Sequence, residues 1–156
     1  MDSTSRCGLS AVIPVFSEEG NLRELHARLT SVLSRLGRSY EIVFVDDGSV
    51  DGSVLLLEEL QRADPHVRVL VFSRNFGHHI ALTAGIDASR GDAVILMDAD
   101  LQDQPEEIPK LLGKLEEGFD VVYGIRMAKK HSAFKRFTST PVWRKPHQLM
   151  RPTRNR

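Results

Sequence analysis

Residues 41–52 read Glu41-Ile42-Val43-Phe44-Val45-Asp46-Asp47-Gly48-Ser49-Val50-Asp51-Gly52. A run of β-branched and aromatic side chains ends abruptly in two acids and a Gly48-Ser49 turn. A segment of helical period then runs from about Gly52 to Arg62, until Asp64-Pro65 stops it. This is a strand that opens at its carboxyl end into a polar loop and continues into a crossover helix. Upstream, the apolar run Leu9 to Val15 precedes Ser17, a candidate helix cap, with Glu18 and Glu19 in the first turn. Leu22, Leu25, Leu29, Val32, Leu33 and Leu36 then share one face up to Gly37. Downstream, Val67 to Phe72 leads through Asn75-Phe76-Gly77 into a helix rich in small residues (Ala81, Ala84, Gly85, Ala88), which allows close approach to a sheet. Ala93 to Met97 runs into Asp98-Ala99-Asp100, Pro105 opens a further helix that ends at Gly118, and a short fifth run spans Asp120 to Tyr123. Strands alternating with helices predict an α/β fold on a mainly parallel sheet.

The 156 residues (17.5 kDa) suffice for one domain that removes about 70% of its unfolded surface from water. Apolar residues make up 41% and charged residues 27%, a composition that excludes disordered, collagen-like and disulfide-rich classes. The formal net charge of zero conceals a division. Residues 1–120 hold all 21 acidic and 11 of the 21 basic side chains, a net of −10, whereas residues 121–156 hold the other 10 basic ones. A basic end predicts contact with something anionic. The lone Cys7 excludes an internal disulfide framework and points to a reducing, cytoplasmic compartment. No run reaches the roughly 18 apolar residues of a membrane span. After Ser139, Pro141, Pro146 and Pro152 interrupt a polar, basic segment without period, so residues 1–139 are expected to form the domain and 140–156 a disordered basic tail.

Ligands of an open parallel sheet bind beyond the carboxyl ends of the strands, near the reversal of strand order. Every unusual polar cluster falls at such an end: Pro14 to Glu19, Asp46 and Asp47, Arg74 and Asn75, and Asp98, Asp100, Gln102 and Asp103. Carboxylates gathered in a partly dry cleft repel one another unless a cation or hydrogen-bond donors compensate. Asp98 and Asp100, two residues apart, project to one side of an extended segment and offer hard oxygen donors suited to Mg2+ or Mn2+. A plain turn is the other reading of that pair. Asp46 and Asp47 either accept hydrogen bonds from a base or ribose or simply shape a turn, with Asp51 as a helix cap. Neither GxGxxG nor GxxxxGK[ST] occurs, which argues against nicotinamide-dinucleotide enzymes and P-loop nucleotidases. His78 and His79 do not share a helix face and read as the exposed start of the third helix. Phe134 and Phe137 beside Lys135 and Arg136 make an amphipathic, phosphate-seeking segment or a solvated helix.

Together, Pro14-Val15-Phe16-Ser17-Glu18-Glu19, Val45-Asp46-Asp47-Gly48-Ser49-Val50-Asp51-Gly52, Arg74-Asn75-Phe76-Gly77 and Asp98-Ala99-Asp100-Leu101-Gln102-Asp103 resemble the family 2 glycosyltransferases. The likeness is to the branch of dolichyl-phosphate mannosyltransferase and bacterial polyprenyl-phosphate glycosyltransferases. It implies a GT-A (Rossmann-like) sheet flanked by helices, and inverting, metal-dependent transfer from a UDP- or GDP-linked sugar to a polyprenyl or dolichyl phosphate. Under it, Pro14, Val15, Glu18, Asp46, Asp47, Arg74 and Asp98 hold the nucleotide sugar. Asp98, Asp100 and Gln102 hold Mg2+ or Mn2+ through the DXD motif, and Asp100 and Arg126 serve catalysis, with Lys135 and Arg136 near phosphate. Asp103 is the candidate base for a hydroxyl acceptor, or else polar support at the start of the fourth helix. The family pattern continues past Ser139 where this sequence turns basic, so the fold is expected to be incomplete at the acceptor side, with a nucleotide-binding fragment lacking activity as the alternative. The acceptor class implies contact with the cytoplasmic face of a membrane. No nucleic-acid partner is expected, because no aromatic-basic platform accompanies the basic end. A sugar-nucleotide pyrophosphorylase needs a basic Gly-rich loop after the first strand, and a receiver domain needs its paired acids there and a lysine after the fifth. Neither pattern is present.

Overall fold

The computed structural model describes residues 8–124 and 141–144. Strand β1 (Leu9–Val15) is buried along its whole length, as befits a central strand covered on both faces. Helix α1 (Glu19–Ser34), strand β2 (Tyr40–Asp46), helix α2 (Ser53–Ala63), strand β3 (Val67–Val71), helix α3 (His78–Ala88) and strand β4 (Ala93–Leu96) follow. A 3-10 turn at Pro105–Glu107 then leads into α4 (Ile108–Glu116), β5 (Val121–Tyr123) and β6 (Pro141–Arg144). The sheet order is β3-β2-β1-β4-β6-β5. Strands β1 to β4 pair in parallel, with Val15 opposite Asp46 and Val12 opposite Leu96, so the chain fills the sheet outward from β1 in both directions. The expected mainly parallel α/β architecture is present.

Alternation along the strands divides the core in two. Leu9, Ala11, Ile13, Val15, Ile42, Phe44 and Ile95 face a layer made by α1 (Leu22, Leu25, Leu29, Leu33), α2 (Leu56, Leu57, Leu60) and α4 (Ile108, Leu112, Leu115). Val12, Val43, Val45 and Val94 face α3 through Ala81. That helix sits very close to the sheet: a Cβ added at Gly85 would lie 2.3 Å from Val12 Cγ1 and 3.0 Å from Val45 Cγ2.

Two expectations are corrected. Ser17 does not cap α1; it takes a left-handed backbone conformation (φ 56°) and its N–H donates to Ser49 Oγ. Helix α1 begins two residues later, and its Glu19 N–H donates to Asp51 Oδ2, while Glu19 Oε2 accepts the Gly52 N–H and Asp51 Oδ1 the Ser53 N–H. The starts of α1 and α2 thus cap each other reciprocally. The second correction concerns the segment read as tail from residue 140: Pro141–Arg144 forms β6, antiparallel between β4 and β5, with Val142 fully buried. Four residues opened by a proline carry no period to detect, and a proline is tolerated as the first residue of a strand. Residues 145–156 lie outside the described residues.

A buried polar cluster ties the edge of the sheet opposite the strand ends. Glu41 accepts from Ser10 Oγ (2.6 Å), the Arg90 N–H and Arg68 (2.9 Å), while Ser10 Oγ also accepts the Gly91 N–H and Arg68 donates to the Ala88 carbonyl. Burial pushes the Glu41 carboxyl up, but these hydrogen bonds and the Arg68 charge outweigh it and hold the group below its ordinary value of 4.5. A carboxyl depressed on folding stabilises the fold fully above its unfolded value, and that contribution is lost as pH falls through the folded one. Urea unfolding across pH 3 to 7 is expected to show a decline below about pH 4.5 that Glu41→Gln flattens, with E41Q less stable at pH 7 by about 1–3 kcal/mol. At the α3 contact, Gly85→Val should lower the urea midpoint by the equivalent of about 1–3 kcal/mol through overpacking against Val12 and Val45.

Candidate functional site

The strand order reverses at β1, whose neighbours β2 and β4 lead to opposite sides of the sheet. At the carboxyl ends of these strands lies an open cavity of about 350 Å³ lined by Pro14, Val15, Phe16, Glu18, Asp47, Asn75, Gly77, His78, Asp98, Ala99 and Asp100. Its place is the crevice where ligands of doubly wound sheets collect. The first, second, third and fourth strand ends all contribute to it.

The two acids after β2 have different surroundings. Asp46 is fully buried; its Oδ2 accepts the N–H groups of Gly48 and Ser49 (3.1 and 3.0 Å), and its Oδ1 has no hydrogen-bond partner among the described residues. It shapes its own loop and does not line the cavity. Asp47 does line it, and its carboxylate accepts the Phe76 N–H (2.7 Å) and the Gly77 N–H (2.9 Å), fastening the loop after β3 to the end of β2. Close packing of the same two loops requires Gly48, whose φ is 73° and whose added Cβ would lie 2.4 Å from the Arg74 carbonyl carbon. Arg74 itself is exposed, with its guanidinium carbon 4.6 Å above the Phe76 ring, beside the cavity lining.

From the other strands, Pro14 and Val15 are buried at the end of β1, and half-buried Glu18 accepts from Asn21 Nδ2 (2.6 Å). After β4, Asp98 and Asp100 are both half-buried and both line the cavity, which brings the expected pair together. Asp100 Oδ1 accepts the Gln102 N–H (3.0 Å), and the left-handed Leu101 (φ 60°) closes this turn. Gln102 is exposed and Asp103 is 7% exposed; neither lines the cavity. Arg126, Lys135 and Arg136, together with Phe134 and Phe137, lie outside the described residues.

One lining residue escaped the sequence reading. His78, at the start of α3, lines the cavity and puts Nε2 3.7 Å from Asp98 Oδ1. Adjacent histidines at a helix start read as surface, and only the turn that follows Asn75 decides which of them looks inward.

Among the described residues no group of three or more His, Cys, Asp and Glu side chains is arranged to hold a metal ion. Asp98 and Asp100, which both line the open cavity, offer two carboxylates as hard oxygen donors. This fits Mg2+ or Mn2+, which complete their shell with water and phosphate oxygens, and does not fit a closed zinc site. No helix among the described residues is long and apolar enough to cross a membrane.

The chain is 44% identical over 132 residues to the undecaprenyl-phosphate 4-deoxy-4-formamido-L-arabinose transferase of Salmonella paratyphi B, an alignment that covers 84% of this chain and 40% of that protein. It spans about two fifths of the length of the curated relatives it matches. Among solved structures it is similar to S. aureus TarS 1-349 in complex with UDP-GlcNAc, with a TM-score of 0.68, 16% identity, and coverage of 88% of this chain and 45% of that one. It is also similar to the mannosyltransferase PcManGT of Pyrobaculum calidifontis in complex with GDP-Man and Mn2+, with a TM-score of 0.61, 19% identity, and coverage of 81% and 37%. At these identities the structural likeness establishes the GT-A fold. The family model described as glycosyl transferase family 2 matches residues 10–156, nearly the whole length, and with the strand-end cavity and its acidic turn in place the chain belongs to that family.

Proposed function

We propose that the chain is the donor-binding part of a metal-dependent, inverting glycosyltransferase that moves a sugar from a nucleoside diphosphate to a polyprenyl phosphate. The observation that carries this is the arrival of Asp98 and Asp100 in the same cavity as Pro14, Val15, Glu18 and Asp47, at the reversal of strand order. The known ligands of the structural neighbours, UDP-GlcNAc in one and GDP-Man with Mn2+ in the other, support a nucleotide sugar and a divalent ion. The relative acting on undecaprenyl phosphate supports the acceptor class and, through the lipid, contact with a membrane surface.

In this reading the backbone and side chains from Pro14 to Glu18 and the Asp47 carboxylate hold the nucleoside, with Asp46 as the buried support of the loop that presents Asp47 and Arg74 as an outer contact. Asp98 and Asp100 hold Mg2+ or Mn2+, with Gln102 contributing the N–H that orients Asp100. When bound, the cation offsets the negative charge of the diphosphate and improves it as a leaving group. An acceptor phosphate oxygen attacks the anomeric carbon while the bond from that carbon to the donor phosphate oxygen breaks, and attack opposite the leaving group inverts the configuration. The acceptor is already ionised at neutral pH, so no proton has to be removed. Arg126 is assigned to phosphate charge. Asp103, buried beside the turn, is assigned to support of the Asp98–Asp103 segment, and becomes a base only for a hydroxyl acceptor.

Calorimetric titration with UDP and with GDP, each with and without MnCl2, tests the donor site. Binding of one of them that strengthens with Mn2+ is the expected result; no Mn2+-dependent binding of either overturns the reading. Asp100→Ala should abolish the Mn2+-dependent gain, at least tenfold in Kd, while urea stability shifts by no more than about 0.5 kcal/mol.

A further inference from the structure

The cavity is short of donors. Four of its lining side chains, Glu18, Asp47, Asp98 and Asp100, are acids, and among the described residues no lysine or arginine lines it. An ionised carboxylate only accepts hydrogen bonds, and Asp47 and Glu18 already take up the N–H groups of Phe76, Gly77 and Asn21. Of the remaining lining side chains, Pro14, Val15, Phe16 and Ala99 have no polar hydrogen. Asn75 and His78 are the two that can donate to an anion, and His78 alone can also carry positive charge.

The backbone of His78 is held in place. It is the first residue of α3, and the two preceding N–H groups are held by Asp47. Seven residues on, Gly85 presses against Val12 and Val45, so the helix cannot slide without a clash. The imidazole, by contrast, is 52% exposed, and its 3.7 Å separation from Asp98 Oδ1 is too long for a hydrogen bond. The ring stands edge-to-face to His79, centroids 5.8 Å apart, and its exposed part is open to an incoming group.

We propose that His78 is a diphosphate-contacting residue: its ring N–H donates to a phosphate oxygen of the bound nucleoside diphosphate from its place in the cavity lining next to Asp98. A neutral imidazole keeps one N–H and suffices for this. The diphosphate is then held by two kinds of group, the ion on the acids and the imidazole beside Asp98. This inference rests on the donor-site reading above, and it adds a recognition element that addresses phosphate directly rather than through a cation.

The experiment compares the wild-type chain with His78→Ala and His78→Gln by calorimetry in saturating MnCl2, using UDP and GDP as probes and uridine and guanosine as controls. Mn2+ binding without nucleotide is followed by electron paramagnetic resonance. Loss of the imidazole should weaken binding of the favoured diphosphate at least about tenfold, the scale of a hydrogen bond to a charged group. Binding of the matching nucleoside and of Mn2+ alone should hold within about twofold. H78Q, which restores an N–H at similar reach, should recover much of the loss. Wild-type diphosphate affinity in H78A overturns the proposal and leaves the donor-site reading standing. Equal loss for nucleoside and diphosphate also overturns it, since that marks a displaced helix rather than a lost phosphate contact. Absence of Mn2+-dependent UDP or GDP binding in the wild type overturns both together.

Discussion

The arrangement of the site depends on the Asp47 carboxylate, which is 3% exposed and accepts the N–H groups of Phe76 and Gly77. A carboxylate withdrawn from water is costly unless donors replace the solvent. Here the donors are backbone groups of another strand end, so satisfying Asp47 also fastens the loop after β3 to the end of β2 and fixes where α3 begins. Gly48 completes the joint, since a side chain there would overlap the backbone of Arg74 and Asn75. Two strand ends that are distant in sequence thus become one wall of a cavity. An ionised carboxylate has acceptor sites beyond the two used, so the same group can brace the wall and still face a ligand.

That wall meets another made by the end of β4, and the two are alike in charge. The acidic excess of residues 1–120 is partly surface, where Arg23–Glu59, Arg28–Glu106 and Lys110–Glu107 pairs neutralise it locally. In the cavity the compensation is different: Asp47 and Glu18 are met by N–H donors, and Asp100 by a backbone N–H. Four carboxylates nonetheless line one cavity, and such a gathering of negative charge is the chemical demand that a divalent ion and its phosphate ligands meet.

Much of this was legible in the sequence because its signals are local. Buried strands of a parallel sheet read as unbroken apolar runs, and β1 to β4 were found in this way to within a residue or so. The acidic clusters fell at strand ends because that is where βα loops must lie. What escaped depends on contacts between distant segments. Ser17 has the chemistry of a helix cap, but the start of α1 is capped by Asp51 from the α2 loop, so the residue best suited locally was passed over for one 32 positions beyond Glu19 in sequence. The strand Pro141–Arg144 has no pattern of its own and exists through pairing with β4 and β5. Asp46 and Asp47 look equivalent as neighbours, yet consecutive side chains at a strand end diverge, one into its own turn and the other across to α3. His78 was read as surface because helical period alone does not say where a helix starts relative to a cavity.

The last case shows how packing far from the cavity determines what lines it. Helix α3 covers its face of the sheet with Ala81 and Gly85 against Val12, Val43, Val45 and Val94, contacts in which small side chains replace the leucines of α1, α2 and α4. A larger residue at Gly85 would lift the helix, and Asp47 could not then hold both N–H groups at its start. The small residues of α3 are usually explained as a requirement of the core. In this chain they also bring the helix start down to the level of the strand ends, where His78 lines the cavity 3.7 Å from Asp98. Core packing and ligand geometry are one constraint here, applied at two ends of an eleven-residue helix.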